Sequence, residues 1–246
     1  MDSSDAREHR RLLLLSNSRD AAGNYLLHSR AVLRDFLGTR VASALFVPLA
    51  GVTISFDDYA TRARTPFAEL GYRLDSIHDA PDPIRAVREA EAIVVGGGNT
   101  FHLLARLYEA GLLDPIRERV AAGAPYVGWS AGSVVACPTI GTTNDMPIVG
   151  PPSLAALGLV PFQINAHFTD VHPPGFQGET RRERLAEFVA VNRGVPVIGL
   201  PEGTMLRVEG GDGTLLGDVS APVFRYGFAV AELRPGDSLG ALLEGG

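Results

Sequence analysis

Gly128-Trp129-Ser130-Ala131-Gly132 fits the Gly-x-Ser-x-Gly pattern that can present a serine as a nucleophile. Such a serine must sit on a strained turn between a strand and a helix, with small neighbours that permit the turn. Tyr126–Trp129 reads as the entering strand and Ala131–Ala136 as the following helix. The same pattern recurs at Gly236-Asp237-Ser238-Leu239-Gly240, but Ser238 follows Pro235-Gly236 with no strand before it, so it is expected in a turn. Ser130 is therefore the expected nucleophile.

A serine hydroxyl is a weak nucleophile at neutral pH and needs a base. Of the six histidines, His9 lies in a polar tail, His28 on the first helix, His78 at a strand end on the N-terminal side, and His172 in a Pro-rich loop. His102, one turn into a helix, is a minor candidate. His167 directly follows the apolar strand Phe162–Asn165 and is the best placed. A third group must fix the imidazole tautomer and stabilise the imidazolium. Glu202, after the strand Val195–Leu200, and Asp145, in Thr143-Asn144-Asp145-Met146-Pro147, both qualify. Glu202 is preferred as the partner and Asp145 as a lining residue, although spacing alone does not separate them.

Gly96-Gly97-Gly98-Asn99-Thr100 ends a strand and opens a helix. Phe101 breaks a dinucleotide fingerprint, and no Lys-Ser/Thr follows to make a phosphate loop. The remaining role is to aim backbone N–H groups at a developing oxyanion, with Gly98 and Ala131 as the expected donor pair. His167, Asp170 and His172 match no common metal-ligand spacing, and no His-Glu-x-x-His occurs, so neither a metal nor a cofactor is expected.

These residues need a scaffold that brings them to one rim. Short apolar runs at 11–16, 44–49, 92–95, 126–129, 162–165 and 195–200 alternate with helical patterns at 25–37, 59–70, 100–110, 115–122 and 179–191. Such alternation predicts an α/β fold with a mostly parallel central sheet and helices on both faces. Segments at 205–208, 214–216, 223–226 and 229–233 predict a short antiparallel C-terminal extension at one sheet edge. Functional groups in such sheets gather beyond the carboxyl ends of the strands, where Ser16-Asn17-Ser18, the glycine loop, Ser130, His167 and Glu202 all fall. Residues 1–11 read as a polar extension and 12–246 as a single domain.

The 246 residues carry a net charge of −6, with no Lys/Arg cluster dense enough for a nucleic-acid footprint. The first apolar run, Leu12–Leu15, is too short for a membrane span or a signal-peptide core. One cysteine, Cys137, allows no intramolecular disulfide and fits a reducing compartment. A cytoplasmic protein without nucleic-acid or membrane partners is expected, with monomer and homodimer both open.

Four stretches taken together resemble peptidase E, the α-aspartyl dipeptidases of peptidase family S51. They are Ile93–Phe101, Val127–Gly132, Thr143–Val149 and Ile198–Gly203, and the resemblance runs from about Leu12 to the C-terminal strands. It implies a class I glutamine amidotransferase-like fold with serine in place of cysteine, and metal-free cleavage of Asp-X dipeptides and short Asp-initiated peptides. It places the family's serine on Ser130, its histidine on His167 and its triad glutamate on Glu202. An aspartate also assigned to the charge relay falls on Asp145, and the aspartate-recognising arginine on Arg181, in Gly178-Glu179-Thr180-Arg181. Departures are the polar extension, Ala166 where the pattern resembles Asn-Pro-His, and Ser133 after the elbow. The alternatives are a cyanophycinase-like hydrolase of β-aspartyl peptides and a catalytically inactive amidotransferase-like binding module. The order Ser130…His167…Glu202 argues against an α/β-hydrolase esterase, which runs serine, acid, histidine.

Overall fold

Strand β1 (Arg11–Leu15) shows how the sequence builds the core. Leu12, Leu13, Leu14 and Leu15 are all fully buried. Successive side chains in a strand point to opposite faces. Accordingly Leu12 and Leu14 join one apolar cluster, and Leu13 and Leu15 join the other. Each such leucine contributes about 1.5–3 kcal/mol of burial, which a strand covered on one face alone does not collect along its whole length. The computed structural model describes residues 9–243; residues 1–8 of the expected polar extension, and 244–246, lie outside the described residues.

The remaining strands are β2 (Ser43–Val47), β3 (Arg73–Ser76), β4 (Ile93–Val95), β5 (Tyr126–Trp129), β6 (Gln163–Phe168), β7 (Val197–Pro201), β8 (Met205–Glu209), β9 (Asp212–Leu216), β10 (Ala221–Phe224) and β11 (Ala231–Leu233). The helices are α1 (Arg30–Leu37), α2 (Phe56–Glu69), α3 (Pro83–Glu89), α4 (Thr100–Glu109), α5 (Leu113–Ala121), α6 (Ala131–Val134), α7 (Arg181–Val191) and α8 (Gly240–Leu243). A seven-stranded sheet runs β3-β2-β4-β5-β1-β8-β9, parallel from β3 to β1 and antiparallel at β8 and β9. β5, which leads into Ser130, is its middle strand.

The expected α/β architecture with helices on both faces is present, with one rearrangement. β6 and β7 do not extend the central sheet. They pair in parallel with each other and form a second, four-stranded sheet in the order β11-β10-β7-β6. The antiparallel strands expected as one extension are thus divided, β8 and β9 bordering the large sheet and β10 and β11 the small one. The chain crosses between sheets at Pro201–Thr204. Ser16 anchors this joint by donating from its backbone N–H to Thr204 O at 3.0 Å and from its hydroxyl to Leu200 O at 2.8 Å.

The turn after β5 depends on two glycines. A Cβ on Gly132 would stand 2.1 Å from the Val95 carbonyl oxygen, and one on Gly128 would stand 2.5 Å from the Gly132 oxygen. Both are below any tolerable contact, and backbone atoms cannot swing aside as a flexible side chain does. Gly132→Ala is expected to cost about 3 kcal/mol and to lower Tm by roughly 6–12 °C. Gly194→Ala, where a Cβ meets nothing within 4 Å, should change Tm little. Thermal melts of the two variants check this, and equal Tm values would show that the close approach is not limiting.

Candidate active site

Among the described residues, three that are not glycine have positive φ: Leu26, Ser130 and His167. Two of the three face each other. Such backbones cost about 1–3 kcal/mol each and persist only where the surroundings over-determine them. Ser130, at φ 52° and ψ −116°, is the residue between β5 and α6. Its backbone N–H donates to Leu15 O at 3.0 Å, which ties the strained turn to β1. His167, at φ 54°, lies where the β6–β7 register shifts between Ala166 and Phe168. Its N–H donates to Ser16 Oγ at 2.9 Å.

The two strained residues meet through their side chains. Ser130 Oγ donates to His167 Nε2 at 3.0 Å, and His167 Nδ1 donates to Glu202 Oε1 at 2.7 Å. Glu202 sits in the turn joining the two sheets, and Gly203 N–H donates to Asn17 Oδ1 at 2.8 Å to hold that turn. The Glu202 side chain is 65% exposed and that of His167 40%. Water screens a pair this open, so its attraction is worth about 0–1 kcal/mol and its main effect is to orient the ring.

Asp145, the alternative acid, is not paired with His167. Its Oδ2 accepts from the Thr100 N–H at 2.7 Å and from the Thr100 hydroxyl at 2.5 Å. The physical reason is the start of α4, where unpaired N–H groups attract a carboxylate. Asp145 therefore fastens the glycine loop, while still lining the cavities on either side of Ser130.

Gly98 has φ 140°, and a Cβ there would stand 2.2 Å from Ala50 O. A Cβ on the preceding Gly97 would stand 2.9 Å from Ser130 Cβ, so the loop passes directly over the serine. The N–H groups of Gly98 and Ala131 have no acceptor among the described residues. Tyr59 holds the loop in place by donating to Gly97 O at 2.8 Å and accepting from Trp129 Nε1 at 3.1 Å. Trp129 in turn stacks on Phe46, with ring centroids 5.7 Å apart.

Arg181 is the first residue of α7, fixed by a capping box between Thr180 and Glu183. Its Nη1 donates to the carbonyls of His167 and Ala166. The other guanidinium nitrogens have no acceptor among the described residues. Burial lowers the Arg181 pKa below the usual guanidinium range, nearby Arg184 lowers it further, and Glu202 partly opposes both. A half-buried cation without a carboxylate partner suits an incoming anion. It borders a cavity of about 210 Å³ that also contains Ser130, Ala131, Asn144 and His167.

The other histidines are engaged elsewhere or lack a partner. His102 Nδ1 donates to Leu49 O at 2.9 Å, and His78 bonds Ser76 and Asp57. His172 stacks on Phe176, and Asp170 pairs with Arg182. His28 is half-buried, and neither ring nitrogen has a hydrogen bond of normal geometry among the described residues.

The family profile described as peptidase family S51 matches residues 12–216. Peptidase E of a Nostoc species is 48% identical over 235 residues, covering 96% of this chain and 97% of that protein. Peptidase E of an Escherichia coli strain is 47% identical over 225 residues, 92% of this chain and 98% of that one. The chain belongs to peptidase family S51. As a member it is a serine peptidase. At the level of fold, the crystal structure of a peptidase from an acI-B1 actinobacterium superimposes with a TM-score of 0.68 at 19% identity, covering 94% of this chain and 97% of that one.

Ser16 and Asn17 end a strand of this S51 peptidase, and nothing in their local sequence marks a role. The structure makes Ser16 the support of the His167 backbone and Asn17 the support of the Glu202 turn. Neither contact has a local signature, because the partners lie 151 and 186 residues away. Ser16→Ala leaves the His167 N–H without its acceptor, a loss of about 1–3 kcal/mol. It should lower kcat about tenfold or more with KM nearly unchanged, because a small misplacement of a catalytic group is costly. Steady-state kinetics and a thermal melt check this; an unaltered kcat would show that His167 holds its position without Ser16.

Proposed function

We propose that this protein is an α-aspartyl dipeptidase. The observation that carries this reading is the Ser130–His167–Glu202 alignment beside a cavity walled by the half-buried Arg181. The similarity to proteins named peptidase E supports it. In this reading His167 Nε2 takes the Ser130 proton as Oγ attacks the carbonyl carbon of the N-terminal aspartyl residue. Gly98 and Ala131 N–H groups receive the oxyanion, and Glu202 holds the imidazolium in orientation. His167 then protonates the leaving amine. Water, activated by the same imidazole, frees aspartate from the acyl-enzyme. Apart from the substrate and that water, the groups in this scheme are side chains and N–H groups of the chain itself.

Arg181 takes the substrate's side-chain carboxylate with the nitrogens left over from its contacts to Ala166 and His167. Two parallel N–H···O bonds suit a planar guanidinium better than an ammonium. Asp145 acts as a positioning residue that holds the glycine loop over Ser130. The lone thiol, Cys137, is buried, and burial pushes its pKa up, so it takes no part in the chemistry. Among the described residues no helix is long and apolar enough to cross a membrane. The unpaired thiol supports placement in the cytoplasm.

Ser130→Ala should lower kcat on Asp-Leu by about 10⁴–10⁶-fold. Turnover close to that of the unaltered protein would end the serine mechanism. Arg181→Ala should lose about ten- to hundredfold of the preference for Asp-Leu over Asn-Leu, the worth of a hydrogen bond to a charged group. An unchanged ratio would remove Arg181 from recognition. Assay of β-Asp-Leu alongside separates the α-aspartyl from the β-aspartyl reading, and inactivity on every peptide would favour a binding module.

A further inference from the structure

A second cavity, of about 600 Å³, adjoins Ser130. It shares Ser130, His167 and Asp145 with the Arg181 cavity and is otherwise lined by different residues. Its walls carry Arg19, Arg62, Tyr25 and Tyr59, and Asp145 is its only lining carboxylate. One oxygen of that carboxylate already receives the Thr100 donors. In a chain of net charge −6, this cleft has two guanidinium groups and almost no free anion of its own.

Arg62 stands three residues after Tyr59 on α2, a spacing that puts both on one helix face. Tyr59 is anchored to Gly97 beside the serine. Arg62 has neither ion pair nor hydrogen bond among the described residues, whereas Arg64, two residues on, pairs with Asp79 at 3.0 Å. Arg62 lines the cleft, so its charge is open to a ligand there.

Arg19 comes from a loop closed with unusual firmness. Leu26, the third residue with positive φ, donates its N–H to Ser18 O at 2.6 Å, and Asp20 N–H donates to Asn24 O at 3.1 Å. Arg19 Nη1 donates to Gly23 O at 2.9 Å, and its guanidinium carbon lies 5.8 Å from the centre of the Tyr25 ring. Its remaining nitrogens have no acceptor among the described residues. The Tyr25 ring packs edge-on against Trp129, with centroids 6.0 Å apart. The Tyr25 hydroxyl is buried against that of Tyr59. Burial raises its pKa well above the ordinary phenol value, so it stays protonated and able to donate. Two guanidinium groups without a carboxylate partner among the described residues, at the edge of Ser130, form a site for an anion.

An Asp-X dipeptide carries two carboxylates. Arg181 accounts for the one on the aspartyl side chain. The other, at the C-terminus of the leaving residue, lies within one residue's span, about 3.3–3.6 Å of chain, past the scissile bond. We propose that Arg62 and Arg19 bind this C-terminal carboxylate, so that the site reads both ends of a dipeptide. The inference rests on the assignment of Ser130 as the peptidase nucleophile. It makes a free C-terminus one residue beyond the scissile bond a source of preference for dipeptides over longer Asp-initiated peptides, separate from the N-terminal aspartate.

The test compares kcat/KM for Asp-Leu with that for Asp-Leu amide, which lacks only the terminal charge. The unaltered protein should prefer the free acid by about ten- to hundredfold, with the preference shrinking as salt rises. In Arg62→Ala and Arg19→Ala the acid-to-amide ratio should fall, chiefly through a higher KM for Asp-Leu. In the double variant it should approach one, and Arg62→Lys should recover part of it. Equal rates on acid and amide in the unaltered protein, or a preference that survives in the double variant, overturn the carboxylate site and leave the dipeptidase reading standing. Failure to cleave either peptide overturns both. The ratio in the unaltered protein decides the matter even if a variant fails to fold.

Discussion

The approach of Gly132 to the Val95 carbonyl is the constraint on which the rest of the site depends. With no Cβ at either Gly128 or Gly132, the chain leaving β5 turns back against β4 tightly enough to hold Ser130 at a left-handed φ. The turn therefore ends directly beneath the glycine loop that leaves β4. One close contact thus fixes Ser130 and its distance from the N–H groups of Gly98 and Ala131. Tyr59 and Trp129 reinforce it from the opposite face of the sheet, linking loop and elbow through one phenol oxygen.

The imidazole that meets Ser130 is positioned by different means. His167 belongs to the smaller sheet, and its strained backbone is held by Ser16 from the larger one. Glu202 belongs to neither, since it lies in the turn between β7 and β8. The site is therefore a junction: serine from one sheet, histidine from the other, carboxylate from the connection. The exposure of the His167–Glu202 pair means that geometry supplied by Ser16, Asn17 and Arg181 matters more than the strength of the ion pair.

Much of this was legible in the residues. The apolar runs of β1, β2, β4, β5 and β7 stand out because strands buried on both faces are nearly continuous in aliphatic residues. β3 escaped because Arg73-Leu74-Asp75-Ser76 alternates exposed and buried positions and reads as polar. α3 escaped because seven residues opened by Asp82-Pro83 look like a turn. The division into two sheets was not legible, since an apolar strand does not encode which strand lies beside it. The choice between Glu202 and Asp145 turned on the N-terminus of α4, where Thr100 claims the aspartate. That contact spans 45 residues and leaves no trace in local spacing.

The two-sheet junction also bears on when the molecule becomes active. The nucleophile and the glycine loop need only the large sheet, in which β4, β5 and β1 are neighbours. The His167–Ser130 contact spans 37 residues, but the contacts that hold the smaller sheet to the larger span 151 residues to Ser16 and 184 residues between Ser16 and Leu200. Contacts this distant in sequence form late, because loop closure must be completed before they contribute. In the proposed mechanism, hydrolysis therefore depends on the small sheet being docked against the large one, since that junction alone brings His167 to Ser130.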